Sequence, residues 1–359
     1  MIKLQDICSK GTSSVAQKDL VGCDGDYPIY GASGFIKNVN FYHQEEPCVA
    51  VVKDGAGVGR VIKLPKKSSV IGTMQYIIPN KGVEVGYLAY VLESLNLSKY
   101  YSGATIPHIY FKDYGKALIK EHTLEEQKRI TEILDLISSN IDKRKEQLSL
   151  FDQLVKSRFI EMFGDVHESG KYPYKAIKEV TNVVSGGTPS RTNNDYWNNG
   201  SVPWIKTTEL KNNVIITAEE FITERGLMES SAKLVPAGTI LVAMYGQGKT
   251  RGMTGYLSME ASTNQACACI LPSDKIYSMY LWKYLEFSYD KLRNLAQGGG
   301  QPNLNGEMIK NFKILLPPRE MQEKFVDFVA QVDKSKLAVQ KSIDELETLK
   351  KSLMQEYFG

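Results

Sequence analysis

The chain has 359 residues, a length that suggests two or three domains. Its apolar fraction of 42% and charged fraction of 24% are ordinary for a globular protein, and the sequence contains no run of 18 apolar residues that would predict a membrane span. The formal net charge of +3 is too small to indicate strong binding to nucleic acid through charge alone.

The cysteines and the first residues indicate where the protein works. The five cysteines are odd in number and lack paired Cys-x-x-Cys spacing (Cys8, Cys23, Cys48, Cys267 and Cys269). The four histidines are scattered along the chain. Residues 1–6 lack the apolar core of a signal peptide. We therefore expect free thiols, no metal site in this chain and a cytoplasmic location.

Residues 1–120 are predicted to form a first mixed α/β globule. Short apolar runs interrupted by Gly and Pro predict strands at 47–52, 60–64 and 76–79. A helix is predicted over 85–101, followed by a turn-rich loop at 102–108. The strand-like residues 116–119 lead into the next element.

Residues 121–165 are predicted to form one long helix. Steps of four and three residues select mostly apolar positions, which is the spacing of helices that pack along a common seam. About 40 residues at 1.5 Å each give a helix about 60 Å long. The apolar positions of this seam are Ile130, Leu134, Ile137, Ile141, Leu148, Phe151 and Val155.

Residues 166–316 repeat the plan of the first globule. The apolar run 241–246 resembles 49–55, and Arg60 and Arg251 each follow five residues after a matching glycine, Gly55 or Gly246. The second globule is longer around residues 211–228. We therefore predict one architecture with different surface loops, which allows one scaffold to bind two different targets.

Residues 317–359 are predicted to form a second long helix of matching length. Gln127 and Gln322 lie 195 positions apart (322 − 127), as do Gly164 and Gly359 (359 − 164). The apolar positions of its seam are Phe325, Val329, Val332, Val339, Ile343, Leu346 and Leu353.

The predicted fold class is α+β. Two mixed α/β globular domains are joined by two long antiparallel coiled-coil helices, with an internal pseudo-twofold repeat. The alternative for the helices is ordinary dimerisation, but each helix has a partner of equal length in the same chain. The globules carry +4 (14 Lys/Arg, 10 Asp/Glu) and +3 (16 and 13), and the helices −3 (7 and 10) and −1 (7 and 8). This weakly favours nucleic-acid contact by the globules and protein contact by the helices.

Three stretches resemble catalytic motifs without satisfying them. Residues 246–250 end like a phosphate-binding loop, but Ala243 stands where that motif needs its first Gly. Residues 55–59 are not a GxGxxG sequence. Residues 316–319 lack both the polar residue and the aromatic of an adenine-methyltransferase motif. We therefore expect no catalytic residues in this chain.

The whole arrangement resembles the specificity subunit of Type I restriction-modification systems. The most specific segment reads Ser-Gly-Gly-Thr-Pro-Ser at 185–190, then Tyr-Trp at 196–197 and Gly-Ser-Val-Pro-Trp-Ile at 200–205. Residues 300–304 and 317–322 are similar to the closing loop and helix start of that family. The first half departs from the pattern, with Lys-Gly-Thr-Ser at 10–13 and no Pro-Pro before the helix.

The resemblance implies a role and a set of partners. Each globule would be a target-recognition domain that reads one half of a bipartite sequence in double-stranded DNA, and the helices would set the spacer. Two adenine-methyltransferase (modification) subunits would dock on the chain, and restriction/translocase subunits could join. S-adenosylmethionine, ATP and Mg would then bind to those partners, with no cofactor in this chain.

The candidate DNA-contacting residues lie on loops that follow strands. Arg can pair with guanine, Asn or Gln with adenine, and Lys with phosphate. Trp197 and Trp204 are expected to pack in the core or in turns. The candidates are Lys53, Arg60, Thr105, His108 and Tyr110 in the first globule, and Lys206, Tyr245, Gln247, Lys249, Arg251, Gln301 and Asn303 in the second.

Two other classes of function stay open at this point. The chain could be a coiled-coil adaptor between proteins that does not read DNA sequence, or an enzyme such as a nuclease or methyltransferase of unfamiliar type. The target bases and the spacer length do not follow from the sequence, because both depend on loop geometry and on DNA deformation.

Overall fold

The structure is a computed structural model that describes residues 1–55, 57–102, 107–168, 171–246, 248–296 and 303–359. Residue contacts divide the chain into two compact units. Unit 1 comprises Met1–Gln147 and Val339–Gly359, and unit 2 comprises Leu148–Ala338. Each unit therefore holds one globule and a segment of each long helix. The predicted domain boundaries at 120, 165 and 316 stay predictions.

The elements of unit 1 are short apart from its helices. Two 3-10 turns lie at Gln17–Leu20 and Leu97–Tyr100. The strands are β1 (Ile2–Lys3), β2 (Cys8–Thr12), β3 (Asp24–Gly31), β4 (Gly34–Val39), β5 (Cys48–Val52), β6 (Val61–Leu64), β7 (Ser69–Val70), β8 (Met74–Pro79) and β9 (Leu118–Ile119). The helices are α1 (Leu4–Ile7), α2 (Val85–Ser94), α3 (Phe111–Tyr114) and the first part of α4 (Leu124–Phe163).

The elements of unit 2 follow a matching order. Two 3-10 turns lie at Asn194–Tyr196 and Thr207–Glu209. The strands are β10 (Tyr174–Ala176), β11 (Val183–Ser185), β12 (Val202–Ile205), β13 (Asn213–Ile215), β14 (Glu220–Ile222), β15 (Ile240–Ala243), β16 (Thr254–Leu257), β17 (Ser262–Thr263), β18 (Cys267–Ile270) and β19 (Lys313–Leu315). The helices are α5 (Ile177–Val180), α6 (Glu224–Met228), α7 (Ser278–Phe287), α8 (Tyr289–Asn294), α9 (Gly306–Asn311) and the first part of α10 (Arg319–Phe358).

The sheets of the two units have the same topology. The main sheet has the order β2-β8-β5-β6 in unit 1 and β11-β18-β15-β16-β13 in unit 2. A second sheet has the order β4-β3-β7 or β14-β12-β17, and in each the last pair is parallel. A short antiparallel pair, β1-β9 or β10-β19, lies near the long helices in sequence. Strand β13 is the addition in unit 2, and it comes from the longer stretch near residue 211.

The central strand of each main sheet is buried on both faces, which explains its continuous apolar sequence. In unit 1, Val49 and Val51 pack in the core that contains α2 and Ile130, while Ala50 and Val52 face the other side of the sheet. In unit 2, Ile240 and Val242 lie in the helix-side core and Leu241 and Ala243 lie in the opposite one. Both units are thus layered in the same way.

The two long helices have 40 residues each, and neither contains an internal Pro or Gly. At the start of α4, the Thr123 backbone N–H donates to the Glu126 carboxylate at 2.7 Å. At its end, Gly164 has a φ of +92°, the left-handed conformation that commonly terminates a helix. Helix α10 begins directly after Pro317 and Pro318, as expected from the sequence.

Within each unit the segments of α4 and α10 run antiparallel. In unit 1 the Lys145 ammonium lies 2.8 Å from the Glu347 carboxylate. In unit 2 Lys336 pairs with Asp152, and the ring of Phe159 lies 5.4 Å from that of Phe325. The seam residues named from the sequence are buried or half-buried in the unit to which each belongs. The predicted α+β class, with two mixed globules and long antiparallel helices, is confirmed.

One predicted helix ends earlier than expected. The helix predicted over 85–101 stops at Ser94, because Asn96 adopts a left-handed φ of +46° that an α-helix does not accommodate. The matching helix of unit 2 is divided at Ser288 into α7 and α8. Among the described residues, no helix is both long and apolar enough to cross a membrane.

Candidate nucleic-acid interface

In unit 1, the loop between β5 and β6 carries the first candidate residues. Its ends are fixed by two backbone hydrogen bonds of 2.9 Å, from the Val52 N–H to the Arg60 carbonyl and from the Gly59 N–H to the Val52 carbonyl. Gly59 has a φ of +87°, and a Cβ at this position would lie 2.8 Å from the backbone nitrogen of Ser98. The close approach to the turn that follows α2 therefore requires glycine here.

The closing segment of unit 1 returns to the same loop. The Ile109 N–H donates to the Lys53 carbonyl at 3.0 Å, and the Gly55 N–H donates to the Pro107 carbonyl at 3.1 Å. Nδ1 of His108 contacts the Asp54 carboxylate, and its ring centroid lies 4.2 Å from that of Tyr110. The structure thus brings Lys53, His108 and Tyr110 together.

The other two candidates of unit 1 are not part of these contacts. The Arg60 guanidinium donates to the carbonyl of Ala32 at 2.6 Å, in the turn between β3 and β4. Thr105 lies outside the described residues.

Unit 2 repeats this arrangement with different side chains. The Gly252 N–H donates to the Ala243 carbonyl at 2.9 Å, and the Leu304 N–H donates to the Met244 carbonyl at 2.9 Å. These bonds match those of Gly59 and Ile109 in unit 1. Asn303 therefore stands where unit 1 has His108, and Tyr245 stands where unit 1 has Asp54.

The predicted correspondence of Arg60 with Arg251 is wrong. The Ala243 N–H donates to the Met253 carbonyl at 2.9 Å, which is the bond that Val52 makes to Arg60 in unit 1. The span from Ala243 to Gly252 is nine positions (252 − 243), against seven from Val52 to Gly59 (59 − 52). The loop of unit 2 is two residues longer, so an equal count from the preceding glycine selects a different backbone position.

Helix α8 supports the longer loop of unit 2 through its backbone. The Tyr289 hydroxyl donates to the Lys249 carbonyl at 2.6 Å, and Arg293 donates to the Arg251 carbonyl at 3.0 Å. The Lys249 and Tyr245 side chains are exposed. Gln247 and Gln301 lie outside the described residues.

Lys206 lies in an ion-pair cluster rather than as a free cation. Its ammonium lies 3.0 Å from Glu219 and 2.9 Å from Glu220, and hydrogen bonds to these two carboxylates raise the pKa of Lys206. Arg191 donates to Glu220 at 2.5 Å, and this bond is the main cause that lowers the pKa of Glu220. The paired glutamates oppose a role for Lys206 in binding phosphate.

The Gly-Gly-Thr-Pro-Ser loop is held by the two tryptophans. The Trp204 indole N–H donates to the Gly187 carbonyl at 3.0 Å, and the Trp197 indole N–H donates to the Ser190 carbonyl at 3.0 Å. Their rings meet edge to face at 5.0 Å, and Arg191 stacks over Trp197 at 3.6 Å. The predicted packing role of both tryptophans is confirmed.

Steric crowding explains why glycines stand at positions 186 and 187 of the same loop. A Cβ on Gly187 would lie 2.2 Å from the Ser231 carbonyl oxygen, and one on Gly186 would lie 2.1 Å from the Thr263 hydroxyl. Any larger residue would push this loop off the sheet. Cys267 and Cys269 are buried in β18 beneath it, and burial raises the pKa of both thiols.

Sequence reasoning missed Arg191 and Asp54. Arg191 follows directly after the Gly-Gly-Thr-Pro-Ser motif, a position that could have suggested it. Asp54 directly follows Lys53 after the buried strand β5, so the same position after a buried strand that selected Lys53 could have selected Asp54. Within the described part of the chain, no cluster of three His, Cys, Asp or Glu side chains could hold a metal ion.

The fold and these loops define a protein with two recognition units of one design, each presenting its own set of polar side chains. The sequence profile of the "Type I restriction modification DNA specificity domain" matches residues 1–150 and 170–348. The chain therefore belongs to this family of Type I restriction-modification specificity proteins.

Individual relatives agree with the family. The specificity subunit of the Type I restriction enzyme EcoR124I/EcoR124II from Escherichia coli is 25% identical over 224 residues, which cover 59% of this chain and 53% of that protein. The MjaIX specificity subunit from Methanocaldococcus jannaschii is 30% identical over 217 residues, which cover 57% of this chain and 48% of that protein. The chain spans about half the length of the curated relatives it matches.

A solved structure supports the fold. The S subunit of a Type I restriction-modification system from M. genitalium superposes with a TM-score of 0.64 at 14% identity, covering 100% of this chain and 95% of that one. At this identity the likeness shows the fold alone.

Proposed function

We propose that this chain is the DNA-recognition subunit of a Type I restriction-modification complex, in which each unit reads one half of a bipartite target. The observation that carries the proposal is the paired arrangement of the two loops. The same backbone hydrogen bonds present His108 and Asp54 in unit 1 but Asn303 and Tyr245 in unit 2. One scaffold with different side chains at equivalent positions is what reading two unlike half-sites requires.

The long helices would set the distance between the half-sites and dock two modification subunits. The equal length of α4 and α10, 40 residues each, supports this role. A helix held on its seam by buried apolar residues is a rigid spacer, since its length is fixed by its residue count. We expect half-site centres about one helical turn, ~34 Å, apart.

The chemistry would belong to the partner subunits. In this proposal the modification subunits bind S-adenosylmethionine and methylate adenine, and restriction/translocase subunits use ATP and Mg. This chain would be non-catalytic and would act in the cytoplasm, where the DNA lies. Its small net charge of +3 suggests that it binds DNA weakly by itself, because phosphate neutralisation supplies most non-specific affinity.

The test is to map methylated adenines in the DNA of cells that express this chain, its modification partner, or both. A split motif of two short blocks around a fixed spacer, present only with both proteins, is the expected result. If a partner of proven activity methylates the same sites with and without this chain, the chain does not read DNA sequence. The adaptor function would then replace the one proposed here.

A further inference from the structure

The side chains of Asp54 and His108 form a pair whose function neither the family match nor the fold explains. They lie 54 positions apart in sequence and meet where the closing segment of unit 1 crosses the loop after β5. The carboxylate and the imidazole are each 28% exposed, so the pair lies at the surface of the unit.

The backbone on both sides of His108 is fixed. Its N–H donates to the Ser102 carbonyl at 3.1 Å, and the Ser102 N–H donates back to the His108 carbonyl at 2.9 Å. On the other side, the bonds of Gly55 and Ile109 tie the segment to the β5 loop. The imidazole therefore has a fixed base, and the contact with Asp54 fixes its rotation.

Asp54 also determines which ring nitrogen carries hydrogen. An ionised carboxylate only accepts hydrogen bonds, so Nδ1 of His108 must be the protonated nitrogen. In the neutral ring Nε2 is then an acceptor, and within the described residues it has no hydrogen-bond partner in the protein. The Lys53 ammonium lies 4.0 Å from the other oxygen of Asp54.

We propose that Asp54 is a positioning residue that makes His108 an acceptor of one hydrogen bond from a base amino group in the half-site read by unit 1. This inference rests on the proposed function. In the major groove the amino donors are N6 of adenine and N4 of cytosine, whereas guanine and thymine offer acceptors. A fixed acceptor therefore favours adenine or cytosine at one position, and the Tyr110 ring packed on His108 limits rotation toward other edges.

Unit 2 has different residues at the positions of His108 and Asp54. Asn303 replaces His108, and its amide offers both a donor and an acceptor, the pair that matches adenine N7 and N6. Tyr245 replaces Asp54 and carries no charge in its phenol form. The difference between the units thus falls on the two residues that the proposal makes responsible for base choice.

The experiment uses the full chain assembled with its modification partner and duplexes that carry the mapped target. Each adenine of the half-sites is replaced in turn by purine and each cytosine by 2-pyrimidinone, which removes only the amino group. For the wild type, removing one amino group in one half-site should weaken binding by about tenfold to a hundredfold. The analogue that produces the loss identifies the base as adenine or cytosine.

The variants separate positioning from a structural role. Asp54→Ala and His108→Ala should each abolish the discrimination at that position and leave every other position unchanged. The double variant should lose no more than His108→Ala alone, because Asp54 acts through His108. Asp54→Asn keeps an acceptor facing Nδ1 and should retain most of the discrimination. Asp24→Ala is the control, since it removes an exposed, ion-paired carboxylate from the same unit.

Three results would overturn the inference. The first is unchanged discrimination in Asp54→Ala and His108→Ala, and the second is an equal loss of binding on every duplex, which indicates phosphate contact or misfolding. The third is a wild-type preference for guanine or thymine at the affected position. In all three the split motif of the wild type would persist, so that failure of this inference is distinguishable from failure of the proposed function.

Discussion

Gln127 and Gln322 make the same two hydrogen bonds, each in its own unit. The side-chain oxygen of Gln127 accepts from the Glu84 N–H at 2.9 Å, and its amide donates to the His122 carbonyl at 2.9 Å. Gln322 accepts from the Tyr277 N–H at 2.9 Å and donates to the Pro317 carbonyl at 2.8 Å. Glu84 and Tyr277 are the N-cap residues of α2 and α7, so each glutamine ties the start of a long helix to the helix beside it.

Removing either glutamine should destabilise its own unit. Gln127→Ala or Gln322→Ala leaves an N-cap N–H without its partner in a part-buried setting, and we expect a loss of about 1–3 kcal/mol in the free energy of unfolding. Urea denaturation of the full chain measures it. Gln153→Ala, on an exposed face of α4, is the control and should change stability by less than about 0.5 kcal/mol. Losses no larger than that of the control would contradict the anchoring role.

The seam of α4 can be tested with two leucines that lie two positions apart. Leu134 is fully buried in the core of unit 1, whereas Leu136 is 65% exposed. Leu134→Ala should cost about 2–5 kcal/mol, because it leaves a cavity. Leu136→Ala makes the same chemical change and should cost less than about 0.5 kcal/mol. Equal losses in urea denaturation would mean that Leu134 does not face the core of unit 1.

The repeat and the long helices were predictable because their signals are local. The 195-residue offset and the 4-3 apolar spacing are visible in the sequence, and both helices have the predicted length. The end of α2 could not be predicted from the sequence, because it depends on the left-handed Asn96 and on the approach of Gly59 to Ser98. The second of these is a contact between segments about 40 positions apart.

Stability should depend on pH through Glu220. The hydrogen bond from Arg191 holds the pKa of this carboxyl below its ordinary value of 4.5 in the folded chain. The stabilisation is therefore fully present above the unfolded pKa and is lost as the pH falls through the lower folded pKa. Glu220→Gln should cost about 1 kcal/mol at neutral pH, and this cost should shrink toward zero as the pH falls through the folded pKa of Glu220.

The measurement for Glu220 is the difference in unfolding free energy between variant and wild type across this pH range. Glu260→Gln is the matched control, since Glu260 is exposed and forms no ion pair within the described residues. A difference for Glu220→Gln that stays constant with pH would show that the ion pair with Arg191 does not stabilise unit 2.

The candidate interface was predictable in outline but not in its pairings. Polar residues after the buried strands β5 and β15 identified Lys53 and Tyr245, whereas His108 and Asn303 lie in the closing segments that follow the helices of each unit. The Asp54 contact and the equivalence of His108 with Asn303 depend on where the closing segment returns to the β5 or β15 loop. That return is set by backbone hydrogen bonds between segments more than 50 positions apart, and no local pattern encodes it.

If the paired helices fix the distance between the two reading units, lengthening both helices should lengthen the spacer between the half-sites. We would insert one heptad after Gln147 in α4 and one after Ala338 in α10, at the two points where the chain passes between the units. Seven residues keep the apolar seam in phase and add about 10 Å to each helix, or about three base pairs of DNA. A single insertion places the helices out of register and should reduce assembly.

The deciding measurement is the methylated-adenine motif in cells that carry the doubly inserted chain with its modification partner. The expected motif keeps both original half-sites, separated by a spacer about three base pairs longer. An unchanged spacer between unchanged half-sites would contradict the role of the helices as the spacer.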